Sequence, residues 1–446
     1  MCSKYHLCIF LLHFQYSSSF NRYFTIHKKL FLRQKEGSID EELCNSPEEK
    51  GRNDKLIRDE ITNELVNHII PFWKRMKDNK FGGFYGYMDY DLKTEKDAVK
   101  GVILNSRILW FFTNAYEVTK DKECLACADH AFAFLKDHCL DKKYGGVYWS
   151  LTYDGKPEDR TKHTYNQAFA IYALSSYYRV KQDKEALVIA SGLFELVENT
   201  CKDEFGYLEA FDEKLQPVDN HKLSENGLLA SKTMNTLLHV LEAYTEYYRA
   251  TKEKKAAVAL KFIMDSFADK VYNPDRKILE VFFDEKLNTI SDLHSYGHDI
   301  EATWLIARGC EVLGDKEYTI KMKAVIEKIT KNIYAEAYNG HSLSNECFCG
   351  IIDATRVWWV QAEAVVGFLN AYEADNSKKE YLLAAKNIWN FIKEHLIDKR
   401  EGSEWYYHVD KDGSPEVGKE IAGPWKCPYH NGRMCIEVIK KNISGF

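Results

Sequence analysis

From about residue 54 onward, apolar positions recur with a 3.6-residue period in twelve stretches, separated by short segments in which aromatic and polar residues alternate. The periodic stretches predict helices over 54–78, 98–119, 121–139, 162–181, 183–200, 228–251, 254–271, 297–314, 316–334, 355–374, 378–397 and 431–445. They alternate in character. "NSRILWFFTNAYEV", "YNQAFAIYALSSYY", "MNTLLHVLEAYTEYY" and "WWVQAEAVVGFLNAY" are apolar almost all round, as a helix packed on both sides must be, and their neighbours carry Lys and Glu on one face.

The segments between helices repeat as well. "KFGGFYGYMDYD" from Lys80, "KYGGVYWSLTYDGKP" from Lys143, "EFGYLEAFDEKLQP" from Glu204, "RKILEVFFDEKLNT" from Arg276, "EGSEWYYHVDKDGSP" from Glu401 and a degenerate "YNGHSLSNECF" from Tyr338 share one design: a turn, an alternating strand, and a second turn. With Gly83, Gly146, Gly206, Ile278, Gly340 and Ser403 as markers, the repeat length is 60 to 72 residues. Six repeats, each with one half-exposed and one buried helix, predict an all-α fold. It is an (α/α)6 barrel, an inner ring of six helices inside an outer ring of six, with short β-hairpins between outer and inner helices. One catalytic domain is expected over 53–446, and residues 1–52 read as an N-terminal extension.

Composition narrows the class of partner. The net charge is −6 and no basic block interrupts the body of the chain, which argues against nucleic acid. No apolar run approaches bilayer-spanning length, so no membrane partner is expected either. The twelve cysteines include Cys124, Cys127, Cys139 and Cys310 inside apolar helical patterns, as small hydrophobes of a reducing compartment. Neither Cys124-x-x-Cys127 nor Cys347-x-Cys349 has a second pair at zinc-ligand spacing, so no metal is expected. "CIFLLHF" (Cys8 to Phe14) is broken by His13 and resembles a signal core only weakly. The expected location is cytoplasmic, or secreted if that run is a working signal; the expected state is a monomer or weak dimer.

A hairpin leading from each outer helix to the next inner one gathers all six inner-helix N-termini at one mouth. The residues there are Arg107; His163 and Tyr165; Asn235 and His239; His298 and Glu301; Trp358 and Trp359; and His430. Each has a bland reading. His239 suits a hydrogen-bonded core histidine, Arg107 a structural ion pair, the tryptophans plain core, and Asp299 with Glu301 a helix N-terminus. Several polar intrusions in one buried layer are hard to blame on packing. His298 and Glu301 lie three apart on one helical face, so the carboxylate is expected to pair with the imidazole, fix its tautomer and raise its basicity. An aromatic pocket with several imidazoles and one guanidinium suits proton transfer on a neutral carbohydrate. Glu301 is the one carboxylate read at the mouth, so the acidic pair that glycoside hydrolysis needs is missing. No phosphate loop or dinucleotide fingerprint appears, so hydride chemistry lacks its cofactor.

"KHTYNQAFAIYALSSYY", "MNTLLHVLEAY", "SYGHDIEATWL", "WWVQAEAVVGFLNAY" and above all "AGPWKCPYHNGRMCIEVI" resemble the cellobiose 2-epimerases, within the N-acylglucosamine 2-epimerase superfamily, over about residues 54 to 442. The resemblance implies an (α/α)6-barrel enzyme independent of metal and nicotinamide. Its activity would interconvert glucose and mannose at the reducing end of β-1,4-linked disaccharides: cellobiose, and also lactose or mannobiose. By motif it makes Arg107, His239, His298, Glu301 and His430 the essential polar residues, with Tyr165, Asn235, Trp358 and Trp425 contacting sugar. The expected mechanism is ring opening followed by a cis-enediolate proton transfer, with His298 and His430 as the acid/base pair. The alternatives are an N-acylglucosamine 2-epimerase or aldose–ketose isomerase on the same scaffold, a hydrolase of the same barrel class, and a non-catalytic sugar-binding protein.

Overall fold

The computed structural model describes residues 57–222, 228–441 and 443–446. The extension predicted over 1–52 and the first residues of the first predicted helix lie outside the described residues.

Twelve helices are found among the described residues. The odd-numbered ones are α1 (residues 57–75), α3 (Lys122–Phe134), α5 (Lys184–Leu196), α7 (Lys254–Ser266), α9 (Lys316–Glu336) and α11 (Lys379–Phe391). The even-numbered ones are α2 (Val102–Thr119), α4 (Thr164–Lys181), α6 (Met234–Thr251), α8 (Tyr296–Leu313), α10 (Trp358–Ala374) and α12 (His430–Lys441). Even helices pack on one another in chain order, and α12 closes onto α2, which makes them the inner ring of an (α/α)6 barrel. Odd helices pack outside, as their charged faces require. No helix among the described residues is long and apolar enough to cross a membrane.

Two kinds of connection give the barrel its polarity. An inner helix leaves by a tight turn: α2, α4 and α8 end at Lys120, Gln182 and Gly314 in the left-handed conformation, and the next residue, Asp121, Asp183 or Asp315, caps the following outer helix with its side chain. An outer helix returns by a long segment. α3, α5, α7 and α11 finish in five-residue π turns such as Leu135–Cys139, and a pair of hairpins follows. Every inner helix therefore starts at the same end of the barrel.

The predicted hairpins are present, but the ladders also run between repeats. The strand that enters each inner helix pairs antiparallel with the aromatic strand of the next repeat: Lys100–Gly101 with Ser150–Leu151, Lys162–His163 with Ala210–Phe211, Lys232–Thr233 with Phe282–Phe283, Leu293–Ser295 with Glu346–Phe348, and Arg356–Val357 with His408–Val409. The bridge between Met88 and Ala422 joins the last repeat to the first. Ion pairs made by buried lysines pin this collar: Lys100 to Asp78, Lys162 to Asp141 and Lys232 to the half-buried Asp203, each at 2.6 Å. Each lysine stands two residues before its helix, and Lys162 and Lys232 also donate to the Glu213 and Glu285 carbonyls of the next repeat. A carboxylate and a carbonyl on each ammonium are what allow the buried charge to be tolerated.

Helix starts shift slightly from those predicted. α2 begins at Val102 and α6 at Met234, because the residues before them are spent in the inter-repeat strands. The nine described cysteines are all free thiols, and all but Cys347 and Cys349 are buried.

Candidate active site

The six inner-helix starts surround a cavity of about 560 Å³. Arg107, Tyr165, Asn235, His239, His298, Glu301, Trp358, Trp425 and His430, the nine residues singled out from the sequence, all line it. His163, read at the same mouth, is buried against Trp149 instead, with ring centroids 4.6 Å apart.

Repeat symmetry explains the convergence. Arg107, His239 and Glu301 each stand five residues beyond the start of their inner helix, and the same place is filled by Phe169, Glu363 and Cys435 in the other repeats. Side chains one position beyond the start form a shallower layer with Tyr165, Asn235 and Trp359. In α8 that position is Gly297. A Cβ there would lie 2.4 Å from the Trp359 ring, so the glycine seats the indole. Trp359 in turn packs on both histidines, its ring 4.8 Å from His298 and 5.4 Å from His430. We expect Gly297→Ala to unseat the indole at an overpacking penalty of about 1–3 kcal/mol, with kcat falling more than thermal stability suggests; unchanged kcat would show that Trp359 does not space the pair.

The expected pairing of His298 with Glu301 is not made. His298 Nδ1 bonds the Ser295 hydroxyl at 2.7 Å, while Glu301 Oε1 accepts from Arg433. The physical reason is competition on both sides: the Ser295 hydroxyl occupies the ring nitrogen, and the guanidinium, a strong partner for a carboxylate, occupies Oε1. The same His-x-x-Glu spacing occurs one inner helix earlier and there the pair does form, His239 Nδ1 meeting Glu242 Oε2 at 3.0 Å.

The second correction concerns carboxylates. Glu301 is one of three buried at this level, with Glu242 and Glu363, and all three accept from Arg433. Glu242 also accepts from His239 and Tyr429; Glu363 accepts from His430 Nδ1 at 2.7 Å and from Trp304 Nε1 at 2.9 Å. Glu242 and Glu363 are not among the lining residues. They sit behind the histidines, so the arrangement is still no glycosidase pair flanking a bond. Glu301, Glu363 and His430 bring ligand atoms within 4.8 Å of one another. Arg433 Nη2 already supplies the positive charge shared by the two carboxylates, which disfavours a cation at the same place.

Protonation follows from this geometry. Burial, with the charge of His239 second, drives His298 down to about 3. Burial, then Arg433 and Arg107, holds His430 well below the usual imidazole range. Both are neutral near pH 7, as proton acceptors must be. Burial raises Glu242, but Arg433, His239 and Tyr429 outweigh it and bring it to about 2. Arg107 donates to Tyr165 Oη at 2.8 Å and lies over the Phe169 and Tyr429 rings at 4.2 and 4.8 Å. It makes no ion pair with a described carboxylate, so the structural reading of this residue fails. A buried guanidinium facing a cavity on aromatic rings is a ready partner for an anionic oxygen.

Neutral imidazoles packed against one indole, beside an unneutralised guanidinium, place this (α/α)6 barrel among the carbohydrate epimerases. The comparisons agree. The family described as N-acylglucosamine 2-epimerase (GlcNAc 2-epimerase) matches residues 83–432, and the chain belongs to it. Cellobiose 2-epimerase of Ruminococcus albus is 55% identical over 384 residues, covering 86% of this chain and 98% of that protein. Among solved structures, a sugar epimerase from a ruminal bacterium has 54% identity and a TM-score of 0.85, covering 86% of this chain and 99% of that one. Cellobiose 2-epimerase from Bacillus thermoamylovorans has 46% identity and a TM-score of 0.84, covering 87% and 100%.

Proposed function

We propose that this chain is a cellobiose 2-epimerase, inverting C2 of the reducing-end glucose of cellobiose to give glucosyl-mannose, with lactose and mannobiose as further substrates. The observation that carries the reading is the convergence of His298 and His430, both packed against Trp359, on one cavity that Arg107 also faces.

The C2 proton of an aldose is acidic only when C1 is a free carbonyl, so the ring opens first. One histidine then takes the C2 proton, and the electrons pass into a cis-enediolate. Arg107 donates charge-assisted hydrogen bonds to the developing oxyanion, with the buried His239, held by Glu242, lining the cavity beside it. The imidazolium forms only together with that anion, whose charge offsets the desolvation that depresses both histidines in the resting enzyme. With the anion present, the opposite histidine takes up a solvent proton on its substrate-facing nitrogen and delivers it to C2 from the other face, and the first histidine then loses its proton to solvent, so one proton enters and one leaves in each turnover. His430 is held by Glu363 through Nδ1, which leaves Nε2 for the substrate. Trp358 and Trp425 supply flat apolar walls for sugar rings, with Tyr165 and Asn235 between them.

The test is epimerisation of cellobiose in heavy water. The product is expected to carry deuterium at C2 of the reducing sugar and none in the non-reducing glucose, whose anomeric carbon is locked. An epimer that kept its original C2 hydrogen would sink the two-histidine route. Free glucose would mark a hydrolase, and recovery of a labelled ketose alone an isomerase.

A further inference from the structure

The cluster behind the histidines holds more negative than positive charge. Three carboxylates share one guanidinium: Arg433 Nη1 donates to Glu242 Oε1, and Nη2 to both Glu301 Oε1 and Glu363 Oε1. All three acids are buried, Glu301 completely. Three such anions around one cation leave two negative charges uncompensated in a low dielectric, and a shared site of this kind keeps one carboxyl protonated.

The donor count says which. Glu242 has Arg433, His239 and Tyr429; Glu363 has Arg433, His430 and Trp304; Glu301 has Arg433 alone. Its second oxygen, Oε2, is buried and has no hydrogen-bond partner in the protein. Of the three acids Glu301 is also the one that lines the cavity, and with Oε1 taken by Arg433 it is Oε2 that is left for a ligand.

We propose that Glu301 works as an undissociated carboxylic acid whose Oε2–H donates a hydrogen bond to an enediolate oxygen, making it, with Arg107, part of the oxyanion-binding apparatus and not an orienting base beside His298. The assignment rests on the epimerase reading above and deepens it. An ionised carboxylate facing an enediolate would repel it, whereas a neutral acid in an apolar site stabilises it, as in ketosteroid isomerase. The groups facing Glu301 fit this state. Arg433 and Tyr429 approach from the start of α12, Glu363 from α10, Glu242 and His239 from α6, and Tyr165 from α4. Burial first, and then the charge of Glu363, raises Glu301 to about 7 in the absence of substrate. Activity that needs the protonated form is present below that value and lost as pH rises through it.

The experiment compares the full chain with Glu301→Gln and Glu301→Leu from about pH 5 to about pH 9, measuring cellobiose epimerisation and the infrared C=O stretch of protonated carboxyl. Glu301→Gln, which keeps a donor at every pH, is expected to stay within ~10-fold of wild type near pH 6 and to lose the alkaline decline; Glu301→Leu is expected to fall ~10²-fold throughout. A protonated-carboxyl band assignable to Glu301 should appear in the wild-type minus Glu301→Gln difference spectrum near pH 6, in which other buried acids such as Glu209, also raised to about 7 by burial, cancel. A Gln variant as poor as the Leu variant, a Gln profile parallel to wild type, or a wild-type spectrum without that band would each overturn the assignment. If wild type turns over no cellobiose at all, the functional reading fails, and the infrared band still decides whether Glu301 holds the proton.

Discussion

His298→Ala and His430→Ala are each expected to lower kcat at least ~10²-fold with the barrel intact, since a positioned general acid or base contributes roughly 10²–10⁴. Neither histidine holds the fold. His298 bonds only the neighbouring Ser295, and without His430 the Glu363 carboxylate still has Arg433 and Trp304. The sharper outcome is stereochemical. A variant with one base left can still take and return a proton on its own face, so it should exchange C2 hydrogen of one epimer with solvent and leave the other untouched. His298→Ala and His430→Ala should then select opposite epimers. The double variant should be hardly worse than the poorer single one, because groups that act as a unit are not additive. Exchange of both epimers by either single variant would mean that one base serves both faces.

Arg433→Met is the change with the largest expected effect on the fold. It strands Glu242, Glu301 and Glu363 in the interior without a counter-ion, and removing one partner of a buried ionic network costs about 3–5 kcal/mol. The penalty has a definite pH dependence. In wild type, Glu242 is depressed from 4.5 to about 2, so its stabilisation is complete above its ordinary value and fades as pH falls from there toward about 2. In the variant the same acids are raised by burial, are tolerated while protonated, and destabilise progressively as pH rises through their new values. Denaturant unfolding should therefore show wild type and variant closest in mild acid and furthest apart in mild alkali. A gap that narrowed with rising pH would show that Arg433 does not hold the cluster. Activity should drop at least ~10²-fold where the variant is folded, because His239 and His430 both lean on carboxylates that Arg433 positions.

The barrel and the lining of its cavity were legible because both depend on periodicity. A helix apolar all round has to be buried on all sides, and polar residues recurring at the starts of such helices have to meet. What escaped was the layer behind the lining. Glu363 lies in "WWVQAEAVV" and Glu242 in "HVLEAY", each the one carboxylate in an otherwise apolar first half of its helix. Glu363 fills the same repeat place as Arg107, His239 and Glu301, a signal available in the sequence once the repeats are aligned on their helix starts. Arg433 carried no periodic signal, and without it the partner of Glu301 could not be chosen. Spacing three apart put both His298 and His239 within reach of a glutamate; Arg433 meets both glutamates, and the first pair is the one whose imidazole Nδ1 is taken by a hydroxyl, that of Ser295. The inter-repeat ladders were hidden for a related reason: strand partners a whole repeat apart leave no local pattern.

The common orientation of the inner helices has an electrostatic consequence beyond the side chains it gathers. Each helix start carries the equivalent of roughly half a positive charge from its aligned peptide dipoles, and six of them point into one cavity. The resulting potential belongs to the main chain, so no side-chain substitution abolishes it. It favours negative charge at the place where an enediolate forms, and it does so before any guanidinium or imidazole is added. A barrel wound in this sense is biased toward chemistry that passes through an oxyanion, and its side chains refine a preference that the backbone has already set.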